Sequence, residues 1–395
     1  MKFNRRNFRS YAAHVKCLFA MLAARAGGAG GRKRRGPGKP AVVMYGHSLS
    51  GNLGAFFDYV RGVSHLPYNV YYATIDEREY ERLSTRYANG ILLATRVSDM
   101  KTVLDAEYVM TSHGPGIFLL LRWLGARARF VSVWHGVGFK NYVPEQFRLM
   151  RFYSACFVTS EHWKEIYRTC RGFRDDQIVV TGFARLDCFR HADEIAERVR
   201  RELKIPERGI VILYAPTWRK EGEGGEVPFG MTDADFLRRL DGLGRSLGAT
   251  VVLRLHMNSC LRFESAECPN IRSVPQTDYP ATNDLLCATD VLVTDWSSIA
   301  ADFCALDRPV IFLDTPMPRD YGAGPLPMER GGIHVADMDG LVRAIETNLG
   351  AGRPPVCAEQ NEMKEDVHGD TLDGHSAQRY DAALRRLIGL TQHVE

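Results

Sequence analysis

No long hydrophobic stretch occurs in the 395 residues. Cys17 to Ala24 is the longest uninterrupted apolar run near the N-terminus, far short of the roughly 18 residues that cross a bilayer, which excludes a transmembrane helix. Acid is missing from the start of the chain: Asp58 is the first carboxylate, whereas the first 40 residues hold eleven Lys and Arg. The remainder has 40 bases against 47 acids, a net −7. A cationic arm on an acidic body argues against a nucleic-acid binder and for attraction to anionic headgroups or an anionic polymer. No C-x-x-C and no metal-ligand spacing joins the nine cysteines, which read as thiols of a reducing compartment. What is present, 45% hydrophobic and 25% charged residues, is the profile of folded protein, with two or three domains expected at roughly 150 residues each.

Residues 1–40 interleave Phe3, Phe8, Tyr11, Val15, Leu18, Phe19 and Leu22 with basic residues, then break at Gly27 to Gly31 and Arg32 to Arg35. The pattern predicts a short amphipathic helix and a flexible basic linker, an arm for an anionic membrane surface. A cleaved secretion signal and an unstructured tail are the alternatives, the first weakened by His14 and Lys16 beside a short apolar core. From Ala41 on, short β-branched runs alternate with helix-length amphipathic stretches, the pattern of parallel sheets covered by helices. Strands are predicted at 41–45, 70–73, 108–111, 129–134, 156–159 and 177–181, then at 210–214, 250–255, 271–274, 291–294 and 310–313. A charged helix over 189–203 separates the two series. Two doubly wound domains joined near residue 190 follow.

In open α/β sheets, ligands collect at the carboxyl ends of strands, and five such corners carry chemistry. His135-Gly136-Val137-Gly138-Phe139-Lys140 sets an imidazole beside bare backbone, with a mobile cation five residues on. Gly182, Arg185 and Asp187 supply a guanidinium for phosphate and a carboxylate for a histidine or a proton. Tyr214-Ala215-Pro216-Thr217-Trp218-Arg219 places a hydroxyl and a guanidinium beyond a strand that proline stops. Arg254 and His256 share one face of a strand end. Thr294-Asp295-Trp296-Ser297-Ser298 ends a buried strand and opens a helix whose free N–H groups favour anions. Taken singly, each has a bland reading: a turn histidine, an Arg–Asp salt bridge, a solvated strand end, an ordinary N-cap serine.

In order and spacing the corners resemble one family, the CDP-glycerol glycerophosphotransferases of teichoic acid and capsule synthesis. The family's His-Gly-x-x-x-Lys is met by His135, Gly136 and Lys140, its Gly-x-x-Arg-x-Asp by Gly182, Arg185 and Asp187, and its Tyr-Ala-Pro-Thr-Trp-Arg by Tyr214 to Arg219. Arg254 and His256 match Arg-x-His, and Thr294 to Ser298 matches Thr-Asp-Tyr-Ser-Ser with Trp296 for tyrosine. The closing Asp-Gly-x-x-Ser is partly kept: Asp373 and Gly374 match, Ala377 holds the serine position, and Ser376 lies one place early. Val137-Gly138-Phe139 replaces Thr-Pro-Leu, Ala184 replaces proline, Leu186 replaces asparagine, and Met257 stands where proline is common. The likeness covers roughly residues 130–380, and six motifs in sequence are far more specific than one.

The resemblance implies an α/β, glycosyltransferase-B-like fold: two Rossmann-like doubly wound domains facing a cleft. Residues 1–40 are then the basic arm, 41–190 an acceptor domain, 191–375 a donor (CDP) domain, and 376–395 a helix crossing back to the first domain. It implies CDP-glycerol or another CDP-polyol as donor, a lipid-linked acceptor, and residence on the inner face of the cell membrane. His135 is expected as base, oriented by Asp187. Gly136, Arg185, Thr217, Arg219, Arg254, His256, Asp295, Ser297 and Ser298 are expected to hold the donor. No acidic cluster suggests a tight metal site, so no metal and no cofactor is expected. The rival readings are a sugar transferase or sugar-nucleotide epimerase of the same fold, and a basic-armed scaffold for anionic polymer. The modest length favours a primase or single-unit transferase over a polymerase.

Overall fold

Short buried strands joined by helices pair in parallel, because a parallel neighbour needs a crossover of a dozen or more residues. The structure, a computed structural model, describes residues 5–30, 38–141, 144–207, 209–218, 227–255, 268–318, 321, 326–349 and 355–389. It opens with a helix, α1 (Arg5–Ala26). A seven-stranded parallel sheet follows, built of β1 (Ala41–Tyr45), β2 (Asn69–Thr74), β3 (Ile91–Leu93), β4 (Tyr108–Thr111), β5 (Arg129–Ser132), β6 (Ala155–Val158) and β7 (Ile178–Val180). Its crossovers carry α2 (Gly51–Arg61), α3 (Glu77–Arg86), α4 (Val97–Leu104), α5 (Leu120–Trp123) and α6 (Glu161–Thr169). A 3-10 turn, Ala184–His191, and α7 (Ala192–Glu202) lead into a six-stranded sheet. That sheet has β8 (Ile210–Tyr214), β9 (Ala249–Leu253), β10 (Ile271–Ser273), β11 (Val291–Thr294), β12 (Val310–Leu313) and β13 (Ile333–Val335). Around it lie α8 (Asp233–Leu247), α9 (Thr282–Cys287), α10 (Ile299–Phe303) and α11 (Met338–Leu349), before the closing α12 (Ala358–His368) and α13 (Ser376–Ile388).

The strand orders are β3-β2-β1-β4-β5-β6-β7 and β10-β9-β8-β11-β12-β13. Each sheet therefore reverses its winding once, at β1/β4 and at β8/β11, and a crevice opens at the carboxyl ends of those strands. β4, β11 and β12 are buried along their whole length, which is why they are continuous apolar runs rather than alternating ones. Local chemistry sets the helix ends: Asp76 accepts from Arg78 N and Glu79 N, Ser160 from Trp163 N, and Gly248 closes α8 at φ +60°.

The N-terminal arm is not a loose tail. Cys17, Ala20, Met21 and Ala24, spaced as one helical stripe, are buried in the main core together with Met100, Val103 and Leu104 of α4. Gly30 N donates to Asp105 Oδ1 at 2.8 Å, fixing the chain beyond α1. The opposite stripe, Tyr11, Val15, Leu18, Phe19 and Leu22, stays exposed. The basic run after Gly31 lies outside the described residues. At the other end, α13 returns to the first sheet, where Tyr380 packs on Phe56 and Phe157 with ring centroids 5.6 and 4.9 Å away.

Candidate functional site

The two crevices face each other, and the β5 corner bridges them. Beyond β5 the chain turns sharply at Trp134, whose φ of +29° lies in the left-handed region that side chains avoid. Asn52, in the first turn of α2 and buried, holds that turn: its Nδ2 donates to Val133 O at 2.9 Å and Trp134 O at 2.8 Å. Its Oδ1 accepts from Arg185 N at 3.3 Å, so one amide ties the β5 exit to the β7 exit. His135 follows, with Nδ1 3.2 Å from Ser112 O. A carbonyl only accepts, so Nδ1 carries the proton and Nε2 keeps a lone pair. His113 stacks on His135 at 4.3 Å, and His47 meets His113 edge-on at 4.8 Å.

Each of these two stacked rings keeps an edge open to solvent, yet the surrounding protein strips away enough hydration to disfavour charge. His135 is lowered to about 4, first by burial, then by Arg185 and His47, against the opposing effect of the hydrogen bond it donates to Ser112 O. His113 is lowered to about 3 by burial, His135 and His47. Both are neutral at pH 7.

Gly136 and Gly138 let the His135 loop touch the second sheet's crevice. A Cβ on Gly138 would lie 2.8 Å from Ser298 Cβ, closer than atoms pack, and one on Gly136 would sit 3.8 Å from both Ser298 Oγ and Arg185 Nη2. Phe139 then inserts edge-on between Trp296 and Phe312, at 6.3 and 5.7 Å, and Lys140 lies over the Tyr321 ring at 5.9 Å. His135, Gly136, Arg185 and Ser298 are thus brought together, although the sequence scatters them over more than 160 positions.

Several expected ligand groups are engaged elsewhere. Asp187 does not orient His135: its two oxygens accept from Ser376 N at 3.0 Å and Ala377 N at 2.8 Å, capping α13. Ser112 O takes the orienting role instead. The same contact explains why alanine at position 377 is tolerated, since only its N–H is used. Gly182 belongs to this joint too, because a Cβ there would lie 2.5 Å from Ser376 Oγ. Arg185 forms a two-pronged ion pair with Asp302 of α10, Nε to Oδ2 at 2.8 Å and Nη2 to Oδ1 at 2.7 Å, which braces the two halves. Its Nη1 is buried with no hydrogen-bond partner among the described residues. Arg254 also braces: it donates to Val274 O, Tyr279 O and Thr282 Oγ1 at 3.1, 2.6 and 2.7 Å.

Asp295 is fully buried and accepts from Thr217 N at 2.7 Å and Thr315 Oγ1 at 3.3 Å, so it shapes the β8 corner from beneath. Thr217 Oγ1 has no hydrogen-bond partner among the described residues. Ser297 and Ser298 do open a helix, but α10 is five residues long and Ser298 makes no side-chain cap bond, so little dipole stands behind it. Arg219 and His256 lie outside the described residues. Among the described residues, no group of three His, Cys, Asp or Glu is placed to hold a metal ion.

Three contributors were missed by sequence reasoning: Asn52, His113 and Asp302. The first two stand just beyond β1 and β4, where the rule about strand ends points, yet neither stands in a motif. Asp302 reads as one acid on a helix and gains meaning only from Arg185.

A family model described as CDP-Glycerol:Poly(glycerophosphate) glycerophosphotransferase matches residues 38–318. The chain belongs to this family. The match takes in every expected site residue and stops short of the Asp373 corner. Among curated relatives, the chain is 25% identical to the teichoic acid ribitol-phosphate polymerase TarL of Staphylococcus aureus, over 78% of this chain and 58% of that protein. It is 28% identical to a teichoic acid glycerol-phosphate primase of Bacillus spizizenii, over 46% of this chain and 49% of that protein. The chain spans about half the length of the curated relatives it matches. In fold it is similar to the wall teichoic acid polymerase TagF, with a TM-score of 0.71 at 17% identity, covering 98% of this chain and 99% of that one. A further TagF structure was obtained after a soak with CDPG. The two-sheet architecture also resembles the UDP-GlcNAc 2-epimerase of Neisseria meningitidis, with a TM-score of 0.57 at 11% identity over 88% of this chain. The glycosyltransferase-B-like expectation therefore holds.

Proposed function

We propose that the chain transfers glycerol phosphate, or a related polyol phosphate, from a CDP-activated donor to a hydroxyl of a lipid-linked acceptor. The observation that carries this reading is His135, its Nδ1–H held by Ser112 O and its Nε2 free for a proton, at the meeting of the two crevices. The acceptor oxygen attacks the β-phosphorus, a new P–O bond forms, and the bond to the CMP oxygen breaks in line. Nε2 of His135 takes the hydroxyl proton. An imidazole held near 4 is a weak base, but an incoming pyrophosphate places negative charge beside it and raises its affinity for a proton. Thr217, Ser297 and Ser298 line the donor side, with Arg219 and His256 as further expected phosphate contacts.

Fold alone does not choose the chemistry, since epimerases share it. Incubation with a panel of CDP-polyols and lipid-linked acceptors, with mass analysis, decides. CMP and an acceptor heavier by one polyol phosphate are expected; release of a nucleoside diphosphate from a sugar nucleotide would overturn the reading.

Peripheral association with an anionic membrane is part of the same reading. It is supported by the exposed stripe of α1 and by a second patch beyond β4 and β5: Trp123, 83% exposed, and Leu149, 56% exposed. Arg122, Arg148 and Arg151 surround a concavity of about 640 Å³ between them. Apolar tips ringed by guanidinium groups suit a headgroup layer, and no described helix is long and apolar enough to cross a membrane. Trp123→Ser with Leu149→Ser is expected to weaken sedimentation with anionic vesicles at low salt. Unchanged sedimentation across a salt series would remove this patch from the membrane face.

A further inference from the structure

His113 belongs to no motif, and its geometry is tied to His135 through a shared ring face and a shared anchor, Ser112. The two rings are parallel, with planes 5° apart and centroids 4.3 Å apart. Nδ1 of His113 lies 2.8 Å from Ser112 Oγ, so this ring is itself anchored. The carbonyl of the same Ser112 takes the Nδ1–H of His135. One dipeptide beyond β4 therefore holds His135 by an edge and by a face. His47 meets His113 edge-on at 4.8 Å, and Trp134 tilts against His135 at 4.6 Å.

We propose that His113 is a positioning residue, holding the His135 imidazole in one plane and one tautomer so that Nε2 faces the acceptor hydroxyl. The inference rests on the reading of His135 as base. A single hydrogen bond at Nδ1 leaves the ring free to swing about its broad χ2 well, and a parallel ring in van der Waals contact removes that freedom. Stacking also keeps water from one face of the base, which favours its neutral form. The charged and titratable groups bearing on the pair are His47 beyond β1, Arg171 beyond α6 and Arg185 beyond β7. All three disfavour a lasting charge on His135, so the proton it takes leaves again once the donor's negative charge has gone.

The test uses the full chain with isotope-labelled histidine, comparing the parent with His113→Ala, His113→Phe and His135→Ala. His113→Ala is expected to let both His135 tautomers appear by NMR and to move its titration up by about one unit. In the same variant, kcat is expected to fall roughly tenfold while the donor KM holds. His113→Phe restores an aromatic face and is expected to recover the single tautomer and most of the turnover. Unchanged tautomer and titration of His135 in His113→Ala would overturn the proposal. So would a His113→Phe as inactive as His135→Ala, since His113 would then be a reacting group. Full activity of His135→Ala would instead overturn the base reading, while the NMR arm still decides whether His113 fixes the ring.

Discussion

The two crevices differ in how their polar residues are used. At the β1/β4 crevice, His47, His113 and His135 keep exposed edges, and buried Asn52 holds the chain behind them. At the β8/β11 crevice, Asp295 and Arg254 are buried and bonded within the fold, Thr217 Oγ1 is buried too, and Ser297 and Ser298 keep exposed surface. A polar residue beyond a strand is therefore chemical where hydrogen-bonding capacity remains at the surface, and architectural where neighbours saturate it. The first wall keeps imidazole edges at the surface, as the proposed base requires; the second keeps Ser297 and Ser298 at the surface over a rigid support.

The largest expected effect tests the chemical wall. His135→Ala or His135→Gln is expected to lower transfer by roughly 10²- to 10⁴-fold while the circular dichroism spectrum and thermal midpoint hold. Full activity in either variant would make the two walls equivalent.

Next comes the strut between the walls. Asp302→Asn leaves the buried Arg185 unpaired and is expected to destabilise by about 3–5 kcal/mol in denaturant titrations. Arg185→Met with Asp302→Leu removes both charges and is expected to recover much of that loss. Equal damage in the single and double variants would mean that the unpaired charge of Arg185 is not what the single variant costs.

Asn52→Ala is expected to cost about 1–3 kcal/mol, because Val133 O and Trp134 O lose their donor. It is also expected to lower kcat more than it raises the donor KM. The reverse split would place Asn52 on the donor side.

The smallest effect is in pH. His113, His135 and His368 are each held below 6.5, mainly by burial, and the last two lie at about 4. Between about 6.5 and 4 the unfolded chain binds more protons than the folded one, so stability falls as pH drops through that window. His368 sits at 0% exposure with Nε2 donating to Ala301 O at 2.6 Å. His368→Gln is expected to flatten the fall in the thermal midpoint between pH 6.5 and 4. An identical profile would shift the dependence to other groups.

Much of the fold was legible in the amino-acid sequence. The predicted bounds of β1, β4, β8, β11 and β12 agree with the structure to the residue, because strands at the centre of a parallel sheet are covered on both faces and must read as apolar runs. Of the four three-residue edge strands, β7 and β10 were predicted and β3 and β13 were not, since so short a run carries almost no period. The N-terminal helix was legible as amphipathic and its bulky apolar residues Tyr11, Val15, Leu18, Phe19 and Leu22 do stay exposed, but the stripe Cys17, Ala20, Met21 and Ala24 that buries against α4 was not foreseen. Deleting it would uncover the core of the first sheet rather than free an arm.

The sequence by itself determined the alternation of strand and helix, the two windings, and the residue types at the strand ends, because these depend on local periodicity and on side-chain chemistry. Tertiary structure alone decided which polar groups stay open. Asp187 and His135 look equally reactive in a string of letters. The first lies where α13 presents two N–H groups and is saturated by them. The second lies where Ser112 takes one nitrogen and the crevice leaves the other. Hydrogen-bonding capacity is a property of what packs against a residue, and those partners come from segments tens to hundreds of positions away.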